Sequence, residues 1–200
     1  MHYITDILYW ISTGLLVPVI LLLIYFFIRA LLLVGGFFGQ YLDLQKNQAR
    51  LRPLIDALDC DNLDRLAEAL PKKNRSISVD YMKRMLEADD DMTRVEKLLS
   101  DFELEAEKDM ELPKTLAKMG PMLGLMGTLI PMGPALVGLA NGDIASMAYN
   151  MQVAFATTVV GLFSSAVGFI ARQAKQRGYF RDLNDLEFIA NRIKEQHAKQ

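Results

Sequence analysis

MGPMLGLMGTLIPMGPALVGLA (residues 119–140) and IASMAYNMQVAFATTVVGLFSSAVGFIA (residues 144–171) are two stretches without a charged side chain. Each is long enough to cross a bilayer as an α-helix, which takes about 20 apolar residues. The three residues between them, 141–143, are Asn, Gly and Asp, a composition that favours a tight turn. We therefore predict a second and a third transmembrane helix over 119–140 and 144–171, joined by an outer turn at 141–143.

A further apolar stretch lies near the N-terminus. No charged side chain occurs from Ile7 to Ile28, and the flanking charges are Asp6 and Arg29. Three such helices in a chain of 200 residues leave too little polar sequence to cover them as a soluble core. A cleaved signal peptide would also account for this stretch, but no Lys or Arg precedes it and its apolar part is too long. We expect a retained first transmembrane helix within residues 1–40.

The charges and the reactive side chains disfavour several functional classes. A net charge of −2 without a basic patch does not suggest nucleic acid as a partner. Cys60 is the only cysteine, which excludes an internal disulfide and a cysteine metal cluster. His2 and His197 lie at opposite ends of the chain, so no catalytic triad is suggested. The aspartates between residues 59 and 64 lack the glycine and the distal glutamate of a calcium-binding loop. We predict neither an enzyme nor a metal or cofactor site.

The orientation follows from the positions of Lys and Arg, because basic residues near the ends of a span tend to remain in the cytoplasm. The segment before the first span has none, whereas the segments after the first and third spans are basic. After the first span they are Lys46, Arg50 and Arg52, and after the third span they are Arg172, Lys175, Arg177 and Arg181. We predict an inner-membrane protein with an outer N-terminus, a cytoplasmic helical domain over 41–118 and a cytoplasmic C-terminal helix over 172–200.

The predicted cytoplasmic domain lacks the alternation of β-strands, and the chain as a whole is predicted to be all-α. We expect a short helix that begins near Asp61 and ends at Pro71, and a second around 81–86 that is capped by Ser78. A third follows the aspartates at 89–91, which favour the positive end of a helix. Its apolar residues form one stripe that needs a partner surface. They are Val95, Leu98, Leu99, Phe102, Ala106 and Met110.

Small residues recur every three or four positions along the second and third predicted spans. In the second span they are Gly120, Gly124, Thr128, Pro131, Ala135 and Gly138. In the third span the same spacing is followed by Ala154, Thr158, Gly161, Ser165, Gly168 and Arg172. Such stripes let helix backbones approach closely. The hydroxyls in these spans would suit a face that lines a cavity or contacts a partner helix. The alternative is simple helix pairing, in which each hydroxyl bonds to a carbonyl one turn back. Pro131 and Pro134 are expected to kink or break the second span.

Two motifs in these spans resemble a known family. Residues 120–128, GPMLGLMGT, look like the GPLLGLLGT stretch of the MotA/TolQ/ExbB proton channel family, and residues 154–163, AFATTVVGLF, are similar to its ALxATAIGLF stretch. The layout of three spans with a large cytoplasmic region after the first resembles TolQ and ExbB. The resemblance implies a homopentameric ring whose second and third spans surround a single-span partner of the ExbD/TolR/MotB type, whose membrane aspartate carries the proton.

Carried over to this chain, the resemblance places the pore threonines at Thr128 and Thr158, with Thr157 as the neighbouring alternative. Together with the small stripes this gives a set of pore-lining or partner-contacting candidates. They are Thr128, Thr157, Thr158, Ser165, Gly124 and Gly161.

The sequence departs from the family at one informative position. Where ExbB and TolQ carry a glutamate before the second threonine, this chain has Val153, with the uncharged Gln152 beside it. The second and third spans therefore supply no carboxylate, and the ionisable group would have to come from the partner, as in the MotA branch.

The predicted function is that of the pore-forming subunit of an energy-transducing or motor complex driven by the proton motive force, with sodium as the alternative ion. A non-conducting membrane scaffold that assembles a partner complex is the alternative. A transporter subunit with its own substrate site is disfavoured, because Arg29, near an end of the first span and able to snorkel, is the only charged residue within the spans.

Overall fold

The computed structural model describes residues 2–56, 76–88 and 91–199, and every regular element among them is an α-helix. The five helices are α1 His2–Gly14, α2 Leu16–Asp56, α3 Ile77–Glu87, α4 Met92–Ala140 and α5 Ile144–Lys199. Three helical segments are long and apolar enough to cross a membrane: Ile7–Gly36, Met92–Ala140 and Ile144–Gln196. The all-α prediction and the prediction of three candidate spans are both confirmed.

Two of the spans belong to helices much longer than a membrane is thick. Helix α4 begins 27 residues before the predicted start of the second span and continues without interruption through Pro131 and Pro134. A break at these prolines was therefore the wrong expectation, because neighbouring helices in a membrane protein can support a proline inside a helix. Helix α5 likewise continues past the third predicted span to Lys199.

The turn between α4 and α5 is built from the residues predicted for it. Gly142 has a φ of +73°, a left-handed conformation that glycine adopts without strain. The amide of Asp143 donates to the carbonyl of Gly138 at 2.8 Å, and the Asp143 carboxylate accepts a hydrogen bond from the amide of Ser146 at 3.0 Å. Asp143 therefore caps the start of α5.

One compact unit comprises Met1–Gly35 and Leu112–Arg172. Its buried apolar cluster joins the first span to α4, and its members are Val19, Leu23, Phe26, Ala30, Leu116, Leu123 and Ile130. Val160 and Val167 of α5 pack against the same cluster, and the rings of Phe27 and Phe163 lie 5.6 Å apart. The first span thus packs against both later spans along one side of the helical pair that they form.

The second unit comprises Gly36–Glu111 and Gln173–Gln200. The apolar stripe at the start of α4 is part of its core, since Val95 and Phe102 are buried there and Leu98 and Leu99 pack against them. The partner surface, which the sequence did not identify, consists of α3 and the end of α5. Its buried members are Val79, Tyr81, Met82, Met85, Leu186, Ile189 and Ile193.

The predicted cap of the second short helix is wrong. Helix α3 starts at Ile77 with Ser76 at the N-cap, and the Ser76 side chain makes no capping hydrogen bond. Ser78 is instead buried within the first turn, where its Oγ lies 2.8 Å from Ser76 Oγ. Val79, in the same turn, is buried in the core of this unit. The short helix predicted from Asp61, the isolated Cys60 and the aspartates between 59 and 64 lie outside the described residues.

Candidate functional site

The stripes of small residues on α4 and α5 face each other at very short range. A Cβ atom on Gly161 would lie 2.6 Å from the Gly120 carbonyl oxygen and 2.9 Å from the Gly124 Cα. A Cβ on Gly120 would in turn lie 2.7 Å from the Gly161 carbonyl oxygen. The atoms in the way belong to backbone, which cannot yield as a side chain can. The stripes of small residues predicted that α4 and α5 approach closely, and this approach depends on glycine at 120 and 161.

The contact between the helices continues in both directions along the seam. A Cβ on Gly168 would meet the Leu116 Cβ and the Ala117 amide nitrogen at 2.7 Å. Toward the turn, a Cβ on Gly127 would lie 2.6 Å from the Oγ1 of Thr157. Gly127 was part of the first motif but was not among the candidates. The signal that could have found it is its position three residues after Gly124, which places it on the same face of the helix.

The candidate hydroxyls donate mainly to carbonyls of their own helices. Thr128 donates to Leu125 O at 2.7 Å, and Thr158 donates to Ala154 O at 3.2 Å. Thr157 shares its proton between Val153 O at 3.1 Å and Ala154 O at 2.9 Å. Ser165 differs, because its hydroxyl crosses to Ala117 O of α4 at 3.0 Å. The three threonines therefore make the local hydrogen bonds that simple helix pairing, the alternative raised by the sequence, predicts.

The two motif threonines differ from Thr157 in their surroundings. Thr157 is buried in the seam against Gly127, with 8% of its surface exposed, whereas Thr128 and Thr158 are partly exposed. At about 100° per helical residue, Thr128 lies roughly 140° around α4 from Leu123, and Thr158 roughly 160° around α5 from Val160. Leu123 and Val160 belong to the contact with the first span. Thr128 and Thr158 therefore lie on the side of the α4–α5 pair that is away from the first span.

The surface around these two threonines is apolar and open. Leu125, Leu162 and Phe169 lie on the same side and are each more than half exposed. We call Thr128, Thr158, Leu125, Leu162 and Phe169 the threonine face. It combines two hydroxyls with the kind of apolar surface that a helix in a membrane can cover.

Of the six candidates, the structure brings Gly124, Gly161 and Thr158 into contact, since a Cβ on Gly124 would lie 3.6 Å from both Gly161 Cα and Thr158 Cα. Thr157 and Ser165 join the same seam through Gly127 and Ala117. Thr128 follows Gly127 directly and lies at the same level. Their pore-lining or partner-contacting role stays a prediction. Within the described residues, no group of three or more His, Cys, Asp or Glu is arranged to hold a metal ion.

Sequence reasoning missed a polar cluster in the second unit. Asp109 of α4 accepts hydrogen bonds from Lys175 Nζ at 2.5 Å and from Tyr179 Oη at 2.6 Å. Lys175 and Tyr179 are four residues apart and therefore lie on one face of α5, which the sequence alone indicates. The sequence does not indicate their partner, because Asp109 lies 66 residues before Lys175. Burial, with this hydrogen bond to Asp109, raises the pKa of Tyr179 well above its ordinary value.

A second tyrosine of this unit gives a measurable pH dependence. Burial raises the pKa of Tyr81 from 10.0 to about 12, helped by the hydrogen bond that its hydroxyl donates to Glu105. Because the folded pKa exceeds the unfolded one, the protonated phenol stabilises the fold fully below pH 10.0, and this contribution is lost as the pH rises toward about 12. We expect ultraviolet titration to show a phenolate transition near pH 12 that Tyr81→Phe removes, while Tyr179, whose pKa is raised further, ionises later still. A Tyr81→Phe protein with an unchanged titration would contradict this.

The model of the MotA/TolQ/ExbB proton channel family matches residues 66–187, which is more than half of the chain and includes the seam and the threonine face. No curated protein and no solved structure matches the chain. Proteins of this family generally work with single-span partners such as ExbD, TolR and MotB. With its three apolar helices, the match indicates an inner-membrane protein with a general proton-channel role. The chain belongs to the MotA/TolQ/ExbB proton channel family.

Proposed function

We propose that this chain is the pore-forming subunit of an energy-transducing or motor complex driven by the proton motive force, and that it is not an enzyme. In this proposal a homopentamer, with N-termini outside and C-termini in the cytoplasm, encloses a single-span partner whose membrane aspartate carries the proton. The observation that carries the proposal is the threonine face, which presents two hydroxyls on an open apolar surface in a chain of the proton channel family.

The hydrogen bonds of the threonines determine what they can offer a partner. Each of Thr128 and Thr158 donates its proton to a carbonyl of its own helix, so the lone pairs of its oxygen remain available as acceptors. Such an oxygen accepts hydrogen bonds from water or from a protonated carboxylic acid. In this arrangement the face stabilises the neutral, protonated form of a partner aspartate, the form that can cross an apolar environment at low cost.

The depth of the threonines supports a role in ion passage. At about 1.5 Å per residue, Thr128 lies about 18 Å from the end of α4, and Thr158 about 21 Å from the start of α5. Both are near the middle of a hydrocarbon core of about 30 Å. Since the second and third spans contain no carboxylate, the titrating group has to come from the partner.

A proline adds a further acceptor at this level. Pro131 has no N–H group, so the carbonyl of Gly127, four residues earlier, cannot receive the ordinary helical hydrogen bond from position 131. Gly127 lies against Thr157, beside the threonine face. A carbonyl freed in this way can hold a water molecule at membrane depth, which would help a proton to move between the carboxylate and either side of the membrane.

Flux measurements in vesicles test the proposal. The chain is reconstituted alone, with its single-span partner, and with the partner's aspartate changed to asparagine, and proton entry is followed with a pH-sensitive dye under an imposed potential. We expect flux only with the intact partner, since each charge gains about 2.3 kcal/mol per 100 mV. Replacing sodium with choline identifies the ion, because proton flux persists without sodium whereas sodium-coupled flux does not.

The scaffold remains the second candidate because of Val153, which stands where ExbB and TolQ have a glutamate. The hydrogen bonds of the threonines to their own helices are also what a purely structural seam would have. A stable complex of the chain with its partner that carries no flux under any imposed potential would favour the scaffold and reject the channel.

A further inference from the structure

The first span carries an arginine whose side chain points back along the helix. Arg29 lies near the end of the span, from which it is able to snorkel, and its Nε donates to the hydroxyl of Tyr25 at 3.0 Å. Its guanidinium carbon lies 5.4 Å from the centre of the Tyr25 ring. Tyr25 is one turn closer to the N-terminus, so the side chain points back along the span, as helical side chains generally do. In the proposed orientation this direction leads into the membrane.

Among the residues that the structure describes, most of the Arg29 guanidinium has no hydrogen-bond partner. Arg29 has five N–H donors, and the described residues give it one acceptor, the Tyr25 hydroxyl. Both side chains are exposed on the surface of the span. A cation at the edge of an apolar phase is costly unless an anion or several acceptors satisfy it, so this surface favours an anionic ligand.

The level of Arg29 in the membrane follows from contacts within the same unit. Phe27 lies beside Phe163, and two residues further along each helix are Arg29 and Ser165. Ser165 donates to the carbonyl of Ala117, which directly precedes Lys118. Arg29 and Lys118 therefore lie near the same end of the spans, about 3 Å beyond the aromatic pair.

All charges at this end of the unit are positive. Arg172 follows Ser165 by two helical turns, and the acidic residues of Met1–Gly35 and Leu112–Arg172 are Asp6 and Asp143. Asp143 lies in the turn at the other end. Asp6 is three residues before Tyr9, whose ring would lie 3.7 Å from a Cβ atom added to Gly133, near that turn. The end that contains Arg29 is thus the level at which phosphate groups of one leaflet meet basic side chains.

We propose that Arg29 and Tyr25 form a binding site for the phosphate of an anionic phospholipid in the cytoplasmic leaflet. The planar guanidinium donates to two phosphate oxygens at once, while Tyr25 holds its Nε and stacks beneath it. The acyl chains lie along Leu21 and Leu22, which are exposed about one turn deeper. The assignment to the cytoplasmic leaflet rests on the orientation in the proposed function, whereas the site itself does not.

Native mass spectrometry of the purified full-length protein tests this site. Phosphatidylglycerol and phosphatidylcholine with identical acyl chains are added in equal amounts, and the lipid retained after mild activation is counted. We expect a preference for phosphatidylglycerol that falls about fivefold in Arg29→Gln and is only partly kept in Arg29→Lys, which keeps the charge but lacks the planar pair of donors. Arg177→Gln, which removes an exposed charge beyond the third span, is the matched control and is expected to keep the preference.

Three results would contradict the proposal that Arg29 and Tyr25 bind a lipid phosphate. The first is equal loss in Arg29→Gln and Arg177→Gln, which would indicate a general charge effect, or loss in neither, which would show that Arg29 does not hold the lipid. The second is displacement of the lipid by inorganic phosphate, which would assign the site to a soluble anion. The third is loss of the lipid when the single-span partner binds, with Arg29→Gln weakening partner binding, which would assign Arg29 to a protein carboxylate. Flux through the Arg29→Gln protein is measured separately, so failure of the lipid site and failure of the channel are distinguishable.

Discussion

Replacement of Gly161 with leucine is expected to separate α4 from α5 and to prevent recovery of folded protein from the membrane. Even the first carbon of a side chain would lie 2.6 Å from the Gly120 carbonyl oxygen and 2.9 Å from the Gly124 Cα. Overpacking of this kind costs about 1–3 kcal/mol for modest insertions, and leucine adds three more carbons against backbone. We expect Gly161→Ala to be measurably less stable in thermal unfolding in detergent, and Gly161→Leu to elute as aggregate in size-exclusion chromatography.

Two glycines provide matched controls for this experiment. Gly124 lies in the same seam, but a Cβ there would be 3.6 Å from its nearest neighbours, an ordinary contact. Gly178 lies on α5 with nothing within 4 Å of such a carbon, and alanine there is expected to raise stability by up to about 1 kcal/mol because it favours helix. If Gly161→Ala is as stable as Gly124→Ala, the two backbones are not as close at Gly161 as the structure has them.

The seam could be predicted because its signal is local. Small residues at steps of three and four define one face of a helix whatever it packs against, and a glycine within an apolar run, such as Gly120 or Gly161, marks a place where a second helix can approach closely. The same applies to the turn, where Gly142 and Asp143 have the chemistry that a left-handed turn and a helix cap require. The three spans followed from length and composition alone.

The features that the sequence did not predict depend on contacts between residues far apart in the chain. The core of the second unit combines α3, the start of α4 and the end of α5, and no periodicity in one helix identifies which other helix will cover it. Asp109 and Lys175 are 66 residues apart, so each looks like an ordinary solvated charge when read alone.

The threonine face gives the sharpest test of conduction. Thr128→Val and Thr158→Val keep the shape of the side chain and remove the oxygen that could accept a hydrogen bond from the partner's protonated aspartate. An unsatisfied buried polar group costs about 1–3 kcal/mol, so each change is expected to reduce partner-dependent proton flux by about tenfold. The double variant is expected to fall further, by up to about a hundredfold, because both oxygens lie at one level of the membrane.

Thr157→Val separates this prediction from a structural effect of losing any hydroxyl in the seam. Thr157 is buried against Gly127 and donates within its own helix, so its oxygen is not available on the threonine face. We expect Thr157→Val to keep partner-dependent flux within about twofold, and Thr158→Ser, which restores an acceptor, to recover most of what Thr158→Val loses. If all three valine variants lower flux equally while the complex remains assembled, the hydroxyls act by holding α4 to α5, and Thr158 has no special role in proton transfer. If only Thr128→Val and Thr158→Val reduce flux, the open side of the seam is where the proton passes.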